Sequence, residues 1–305
     1  VNEKSKSGNA KQIWKEIEEV LKVRNVSYQA FVSEYRGHAG KLAAEICAMD
    51  DNDICLVAVG GDGTANEVIN GITDFEKVRF GVIPTGSGND LARGLSLSKD
   101  PKNGAIHILN AMKKSREDTW CMDLGEVNFG EKKRLFAISA GIGLDALVCK
   151  KALKSTIKDI LNKIRLGKLT YLVLTVQSLF TMQTADAEIF FDREEGLQKK
   201  RMIFTAAMNF KAEGGGVPMA PAASACDGKL SFCEAAGIPK WRTFLCLPFL
   251  VAAKHTSIHG FSVTDAKDCT IRLSRPMVVH ADGEYCGEVT EVHFHCLPGK
   301  LRVLK

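Results

Sequence analysis

The sequence has no uninterrupted apolar run of about 18 residues, the length a membrane-spanning helix needs. Its longest apolar stretches, 171–180 and 243–253, are short and interrupted. No stretch reads as a secretory leader. There are ten cysteines but no C-x-x-C pair, and most lie inside apolar runs, where cysteine acts as a small hydrophobe. That usage fits a reducing cytoplasm better than a disulfide framework. No block of five to eight Lys and Arg of the kind that marks a nucleic-acid tail is seen. Lys+Arg 41 against Asp+Glu 36 leaves only +5, a mild bias that suits phosphates or acidic headgroups. The Walker A pattern G-x-x-x-x-G-K-[ST] is absent, and Gly60, Gly61 and Gly63 do not fit the G-x-G-x-x-G dinucleotide spacing. No repeat or low-complexity linker separates the halves.

What is present is ordinary globular composition. The 305 residues are 45% hydrophobic and 25% charged, enough for two cores. Helical and strand-like patterns alternate over the first 115 or so residues. Helices are expected at 11–23, 38–49, 65–72 and 89–95, and strands at 27–32, 54–59 and 80–83. Alternation of this kind predicts a parallel sheet with helices on both sides, an α/β nucleotide-binding domain. Beyond Trp120 the pattern changes. Strands are expected at 121–127, 135–140, 187–191, 201–209, 229–234, 269–273, 277–280 and 289–295, with helical stretches at 157–181 and 240–255. Many strands without helix alternation predict a β-rich antiparallel sandwich. The expected division is 1–119 and 120–305, with 296–305 packing back on the first domain.

The strongest local signal is the buried strand that runs through Val57-Ala58-Val59 into Gly60-Gly61-Asp62-Gly63-Thr64 and a helix. Glycines let a backbone approach phosphate, and the helix N-terminus offers unpaired N–H groups. Asp62 is not needed for the turn. A carboxylate beside phosphates implies a metal ion or a hydroxyl to deprotonate. A second loop of the same kind follows: Ile83-Pro84-Thr85-Gly86-Ser87-Gly88-Asn89-Asp90-Leu91-Ala92-Arg93. Two such loops after neighbouring parallel strands would meet at the carboxyl edge of the sheet, where open α/β folds bind ligands. A plain strand-to-helix turn explains either loop alone and explains the pair poorly.

Taken in order, these motifs resemble the diacylglycerol kinase catalytic-domain family, which includes sphingosine and ceramide kinases and bacterial soluble lipid kinases. The matching stretches are Ser33-Glu34-Tyr35-Arg36-Gly37-His38-Ala39, the two glycine loops with Glu67 and Asn70-Gly71, and Asp123-Leu124-Gly125. In the second half they are Ala140-Gly141-Ile142-Gly143, Asn209 with Gly214-Gly215-Gly216, Asp227-Gly228-Lys229-Leu230 and Asp282-Gly283-Glu284. The chain departs from the family at its start, where Val1-Asn2 through Gly8 stands in place of an apolar strand and Asn-Pro-x-Ser-Gly. A trimmed chain or a longer loop accounts for that.

The resemblance implies an active site in the cleft between the domains, ATP and Mg²⁺ as cofactors, and a phosphoryl transfer to a lipid hydroxyl. It assigns Gly60, Gly61, Gly63 and Thr64 to the ATP phosphates and Asp62 to the reacting centre. Thr85, Gly86, Gly88 and Asn89 form the opposite wall, and Ser33 contacts the nucleotide. Glu284 stands near the acceptor hydroxyl, Asp123 supports the domain junction, and Asp227 marks a structural magnesium site. Glu67, Asp90 and Arg93 support the loops. Arg93 has two readings, a phosphate contact or a pair with Asp90. Asp282-Gly283 also reads as a plain hairpin turn.

The implied partner is a membrane lipid at the bilayer surface, with no nucleic acid and a homodimer left open. The implied place is a cytoplasmic enzyme peripheral to the membrane, working in phospholipid biosynthesis. Three alternatives remain: a sphingoid-base or other lipid acceptor, a soluble acceptor as in the NAD kinase group, and a non-catalytic ATP-binding module. His255 with His259 and His293 with His295 have zinc-compatible spacings but no cysteine or carboxylate at ligand spacing in sequence, so structural roles are preferred. The 157–181 helix is read as a cover for the sandwich core, with insertion at a membrane interface as the alternative.

Overall fold

The computed structural model describes residues 1–3, 10–154, 167–192 and 195–305. They form two compact units, Val1–Leu124 with Pro298–Lys305 and Gly125–Leu297. The architecture is an α/β unit followed by a β-rich unit.

In the first unit, β1 (Ile54–Gly60) and β2 (Val78–Pro84) pair in parallel from Ile54↔Val78 to Gly60↔Pro84. The chain's last strand, β12 (Glu284–Val303), adds Arg302 and Val303 beside Arg79 and Phe80, also in parallel. Every residue of β2 is buried because helices cover both faces. On one face α1 (Ala10–Val23) and α5 (Pro101–Ala111) place Ile17, Ala105 and Ile108 against Val59 and Ile83. On the other, α2 (His38–Cys47) and α3 (Asp62–Gly71) cross closely, and a Cβ on Gly71 would lie 2.1 Å from the Gly40 carbonyl oxygen. The buried Arg79 is satisfied by Asp53, at 2.6 and 2.9 Å, and by the carbonyls of Met112 and Lys114.

The second unit is mainly antiparallel. Its spine is β11 (Asp268–Ala281), which pairs with β12 along one side. On the other side its first half pairs with β6 (Ala185–Phe191) and its last residues with β5 (Ser139–Gly143). From β5 the ladder continues through β8 (Phe204–Met208), β9 (Leu230–Ala235) and β10 (Phe261–Ala266). From β6 it continues to β7 (Leu197–Met202), and β3 (Trp120–Phe129) forms a hairpin with β4 (Lys132–Phe136). Phe191 and Phe232 lie on strands that are not ladder neighbours, yet their rings are 5.4 Å apart, so the two arms fold over one core. Helices α6 (Leu144–Lys154) and α7 (Gly167–Thr181) pack on each other, and α7 meets α8 (Lys240–Val251).

Several expected elements differ. Residues 27–32 are extended but form no strand; their neighbour is Val1, whose amine bonds to the Phe31 carbonyl at 2.7 Å and whose carbonyl receives the Ser33 N–H at 2.9 Å. The 135–140 strand splits into β4 and β5 at Ala137 and Ile138, whose N–H groups go to an aspartate carboxylate. The 201–209 strand splits at Ile203, between the end of β7 and the start of β8, where the Ile203 N–H goes to the Ala235 carbonyl at 2.8 Å. The strands at 269–273 and 277–280 join into one, with a register shift between Arg272 and Met277. Helices α5 and α6 and strand β10 are additional elements. The 157–181 helix is described from Gly167 onward; residues 157–166 lie outside the described residues.

Candidate active site

The two glycine loops stand side by side at the carboxyl ends of β1 and β2. The Thr85 N–H donates to the Gly60 carbonyl at 2.8 Å, which continues the ladder one step past the strands. Neither loop has room for side chains at the meeting point. A Cβ on Gly61 would lie 3.2 Å from the Gly86 Cα, and one on Gly60 would strike the Thr64 side chain at 2.6 Å. Asn89 adopts φ 53, ψ 45, a conformation its short amide tolerates. That turn lets its side chain clasp its own loop, accepting from the Gly86 N–H and donating to the Gly86 carbonyl, both at 2.9 Å.

Asp62 joins the loops. It opens α3, yet its carboxylate reaches across to α4 (Asp90–Gly94), accepting the N–H of Asp90 and the N–H of Leu91, each at 3.1 Å. Burial is the largest influence on this carboxyl and raises its pKa, against the lowering effect of backbone hydrogen bonds, that of Leu91 foremost, and of Arg93. Gly88 is tight against it, with a built Cβ 3.0 Å from Oδ2. Each oxygen keeps a lone pair for a further partner. Arg93 pairs with Asp90 and donates to the Gly88 carbonyl at 3.0 Å.

Two further predicted residues of the first unit, Glu67 and Ser33, tie neighbouring segments to the helix that follows the first loop. Glu67 accepts the Gly37 N–H at 2.8 Å, where Gly37 has φ 86, and so ties the 33–39 segment to α3. Within that segment Tyr35 stacks on His38, whose Nδ1 accepts the Glu34 N–H at 3.0 Å. Ser33 is buried and reaches the Val1 carbonyl through both its N–H and, at 3.4 Å, its hydroxyl. The next residue, Asn2, donates to Thr64 Oγ1 at 2.9 Å. Ser33 and Thr64 are therefore linked through the first two residues of the chain. Asp123 is buried and accepts the Gly299 N–H at 2.7 Å.

In the second unit, Glu284 opens β12 and is half-buried. The turn before it, Asp282 at φ 47 and Gly283 at φ 80, is the hairpin expected from Asp-Gly. Asp282 is more than a turn residue. Its carboxylate accepts three N–H groups, from Ala137 and Ile138 at 2.8 Å and Ser139 at 3.1 Å. Asp227 is exposed, and its Oδ1 accepts the Lys229 N–H at 3.1 Å.

Sequence reasoning missed a group behind the Glu284 turn, a buried histidine with two half-buried acids. His280 Nε2 faces Asp145 Oδ2 at 3.1 Å, Nδ1 receives the Gly283 N–H at 3.2 Å, and Glu213 bonds Ser139 Oγ. Asp145, Glu213 and His280 are the one group of three or more potential metal ligands found among the described residues. With Nδ1 accepting, however, the neutral ring carries its proton on Nε2 and has no lone pair there for a metal. The geometry is that of a proton-sharing network. Burial alone would lower the His280 pKa; the Asp145 hydrogen bond and the nearby carboxylates outweigh it and raise the value, while burial raises Glu213. Two sequence signals were available: Asp145 follows Gly141-Ile142-Gly143 at a strand-to-helix junction, and His280 shares strand parity with Asp282.

Of the two histidine pairs, three rings have structural partners. His255 is buried with Nε2 against the Met219 carbonyl at 2.9 Å, whereas His259 is exposed. His293 and His295 both face Asp268, at 3.3 and 2.6 Å.

A strand-to-helix glycine loop pair at the edge of an α/β sheet is suited to holding phosphate groups. Residues 1–122 match the diacylglycerol kinase catalytic domain, and residues 139–305 match the YegS C-terminal NAD kinase beta sandwich-like domain. The chain is 30% identical over 300 residues to "Putative lipid kinase YtlR" of Bacillus subtilis (strain 168), covering 97% of this chain and 94% of that one. It is 28% identical over 251 residues to a diacylglycerol kinase of the same organism, covering 80% and 75%. A diacylglycerol kinase structure from Bacillus anthracis str. Sterne shares the fold, with a TM-score of 0.70 at 18% identity over 99% of this chain and 94% of that one. The chain belongs to the diacylglycerol kinase family. It is a kinase whose acceptor is an alcohol.

Proposed function

We propose that the protein transfers the γ-phosphoryl group of ATP to the hydroxyl of diacylglycerol, with Mg²⁺ on the triphosphate. The observation that carries this reading is the Asp62 bridge, which fixes the Gly60–Thr64 loop against the Thr85–Asn89 loop and so sets two glycine-lined backbones at one sheet edge. Phosphoryl transfer depends mainly on positioning and charge stabilisation, and this arrangement supplies positioning. The N–H groups of Gly63 and Thr64, in the first turn of α3, have no intrahelical acceptor and suit phosphate oxygens. The absence of Cβ atoms leaves the backbone open to close approach.

The donor set also fits a hard cation, because Asp62 retains lone pairs beside the loops. When bound, Mg²⁺ would neutralise charge on the triphosphate. Glu284 is assigned to receive the proton of the acceptor hydroxyl, and Asp282 and His280 hold the turn that carries it. Asp123 keeps its bracing role, and Asp227 is retained as the candidate structural magnesium ligand. Diacylglycerol is chosen as acceptor because relatives of that name align over most of the chain.

The test is a panel. The protein is incubated with labelled ATP and Mg²⁺ against diacylglycerol, sphingosine and ceramide in mixed micelles, and against soluble NAD. Labelled phosphatidic acid is the expected product. Faster labelling of sphingosine or NAD would move the assignment to that acceptor. Nucleotide binding without any transfer would leave a regulatory module.

A further inference from the structure

Helix α8 is apolar on nearly every side, with the sequence Lys-Trp-Arg-Thr-Phe-Leu-Cys-Leu-Pro-Phe-Leu-Val. A helix of that kind belongs in a core or a membrane. Here only the Thr243 and Cys246 side is buried, while Trp241 is 60% exposed, Leu245 56% and Phe249 49%. These three stand at i, i+4 and i+8, so they form one stripe pointing away from the core. Phe244 extends the stripe sideways, and its ring lies 6.0 Å from that of Phe180 at the end of α7. On α7, Leu172, Val173 and Phe180 are themselves about half exposed, while Leu174 and Leu179 enter the core. The exposed face therefore runs across two helices, held together where Lys240 Nζ bonds the carbonyls of Phe180 and Met182.

Contiguous apolar surface of this kind marks an interaction site. Charge selects the occupant. Residues 167–185 and 235–264 contain no Asp or Glu at all, whereas Lys168, Lys240, Arg242 and Lys254 fall within them. Arg242 and Lys254 are exposed beside the stripe. Exposed apolar side chains accompanied by the exposed Arg242 and Lys254, in segments without an acidic residue, complement an anionic bilayer, whose headgroups attract the cations and whose acyl boundary accepts the rings. At 12 residues α8 is about 18 Å long, well short of the roughly 30 Å hydrocarbon core, so it lies on a bilayer and does not cross one. We propose that the α7–α8 face is the surface by which this protein docks on an anionic lipid bilayer. The inference extends the proposed function, since a lipid acceptor must be met at a membrane.

The test uses the full chain and sedimentation with vesicles of phosphatidylglycerol and phosphatidylcholine, or of phosphatidylcholine alone. The wild type is expected to bind the anionic vesicles and to bind neutral ones more weakly. The triple variant Trp241→Ser, Leu245→Ser, Phe249→Ser is expected to lose at least about tenfold in partitioning, from the apolar area removed. All three positions are exposed, and an unchanged unfolding curve checks that the variant is folded. Brominated acyl chains are expected to quench wild-type fluorescence more than that of Trp241→Phe.

A wild type that ignores anionic vesicles, or a triple variant that binds as well as wild type, overturns the proposal. So does a wild-type dimer that the triple variant dissociates without any change in vesicle binding, because the face is then covered by a second copy. Turnover of a water-soluble short-chain diacylglycerol separates docking from chemistry. Vesicle binding without any transfer would sink the proposed kinase substrate and leave the docking surface standing.

Discussion

Gly61 and Gly86 face each other so closely that a Cβ added to Gly86 would lie 2.6 Å from the Gly61 Cα and 2.8 Å from Asn89 Oδ1. The two loops are therefore specified by contact with each other as much as by any ligand. Gly86→Ala must push them apart or break the Asn89 clasp. A loss of about 1–3 kcal/mol in urea unfolding is expected, the usual range for overpacking. Nucleotide affinity should fall with it, by calorimetry. An alanine variant with wild-type stability and affinity would show that the loops are not packed in this way.

Asp62→Asn tests the bridge. The amide keeps one acceptor and presents an NH₂ where the second oxygen was, so one N–H at the start of α4 loses its partner. The expected cost is about 1–3 kcal/mol, the penalty for an unpaired enclosed donor. Activity should fall further than stability, because the same side chain offers its remaining lone pairs to the reacting centre. If the variant is as active as wild type, Asp62 has neither role.

Much of this was legible in the sequence for a physical reason. A parallel strand buried on both faces must be a continuous apolar run, and glycines at its end have no structural need unless something approaches the backbone. That made β1, β2 and both loops readable. The antiparallel unit was less so. At its break between β4 and β5 the Ala137 N–H goes to Asp282, 145 residues away in sequence, and no local pattern encodes that. Arg93 could not be assigned from spacing because both of its readings place it on the same helix turn. The Asp145–His280–Glu213 network is assembled from a helix, a strand and a loop, and each residue alone looks ordinary. Helix α5 was the avoidable miss: Asp100 followed by Pro101 is a strong start signal, and Asp100 does accept the Asn103 N–H at 2.8 Å.

Asp282→Ala removes one acceptor from three backbone donors. Hydrogen bonds to a charged group contribute about 1.5–3 kcal/mol each, not additively, so a total loss of roughly 2–5 kcal/mol is expected. Asp282→Asn keeps the oxygen side and should fall between. Urea denaturation of the three proteins checks the order. Equal stability would mean that the 137–139 segment holds itself without Asp282.

His280 predicts a pH signature. The Gly283 N–H on Nδ1 favours the neutral ring, whereas Asp145 and the neighbouring carboxylates raise its pKa from the ordinary 6.5; with the carboxylates prevailing, the ring takes a second proton on Nδ1 at the cost of the Gly283 bond, and the folded state binds more protons than the unfolded one near neutrality. Stability from this source is full below about 6.5 and is lost as pH rises through the raised value. Glu213, raised by burial, acts in the same direction at its own pH. Comparing wild type with His280→Gln from pH 6 to 9, the wild type should lose stability with rising pH and the variant should lose less. Parallel curves would mean that His280 does not change its protonation on folding.

Glu284→Gln is the sharpest test of the acceptor side. The substitution keeps shape and removes the ability to take a proton. Glu284 opens β12 directly after a turn fixed by Asp282 on one side and His280 on the other, so its backbone should not move. If it takes the acceptor proton, turnover should drop by about 10²–10⁴-fold, the range for a lost general base. The KM for ATP and the unfolding midpoint should stay near wild type. Glu284→Asp, with the acid one methylene short, should recover part of the rate and shift the pH profile, which a purely structural side chain would not do. A glutamine variant that turns over diacylglycerol at the wild-type rate would remove Glu284 from the chemistry and leave the hydroxyl proton to Asp62 or to solvent.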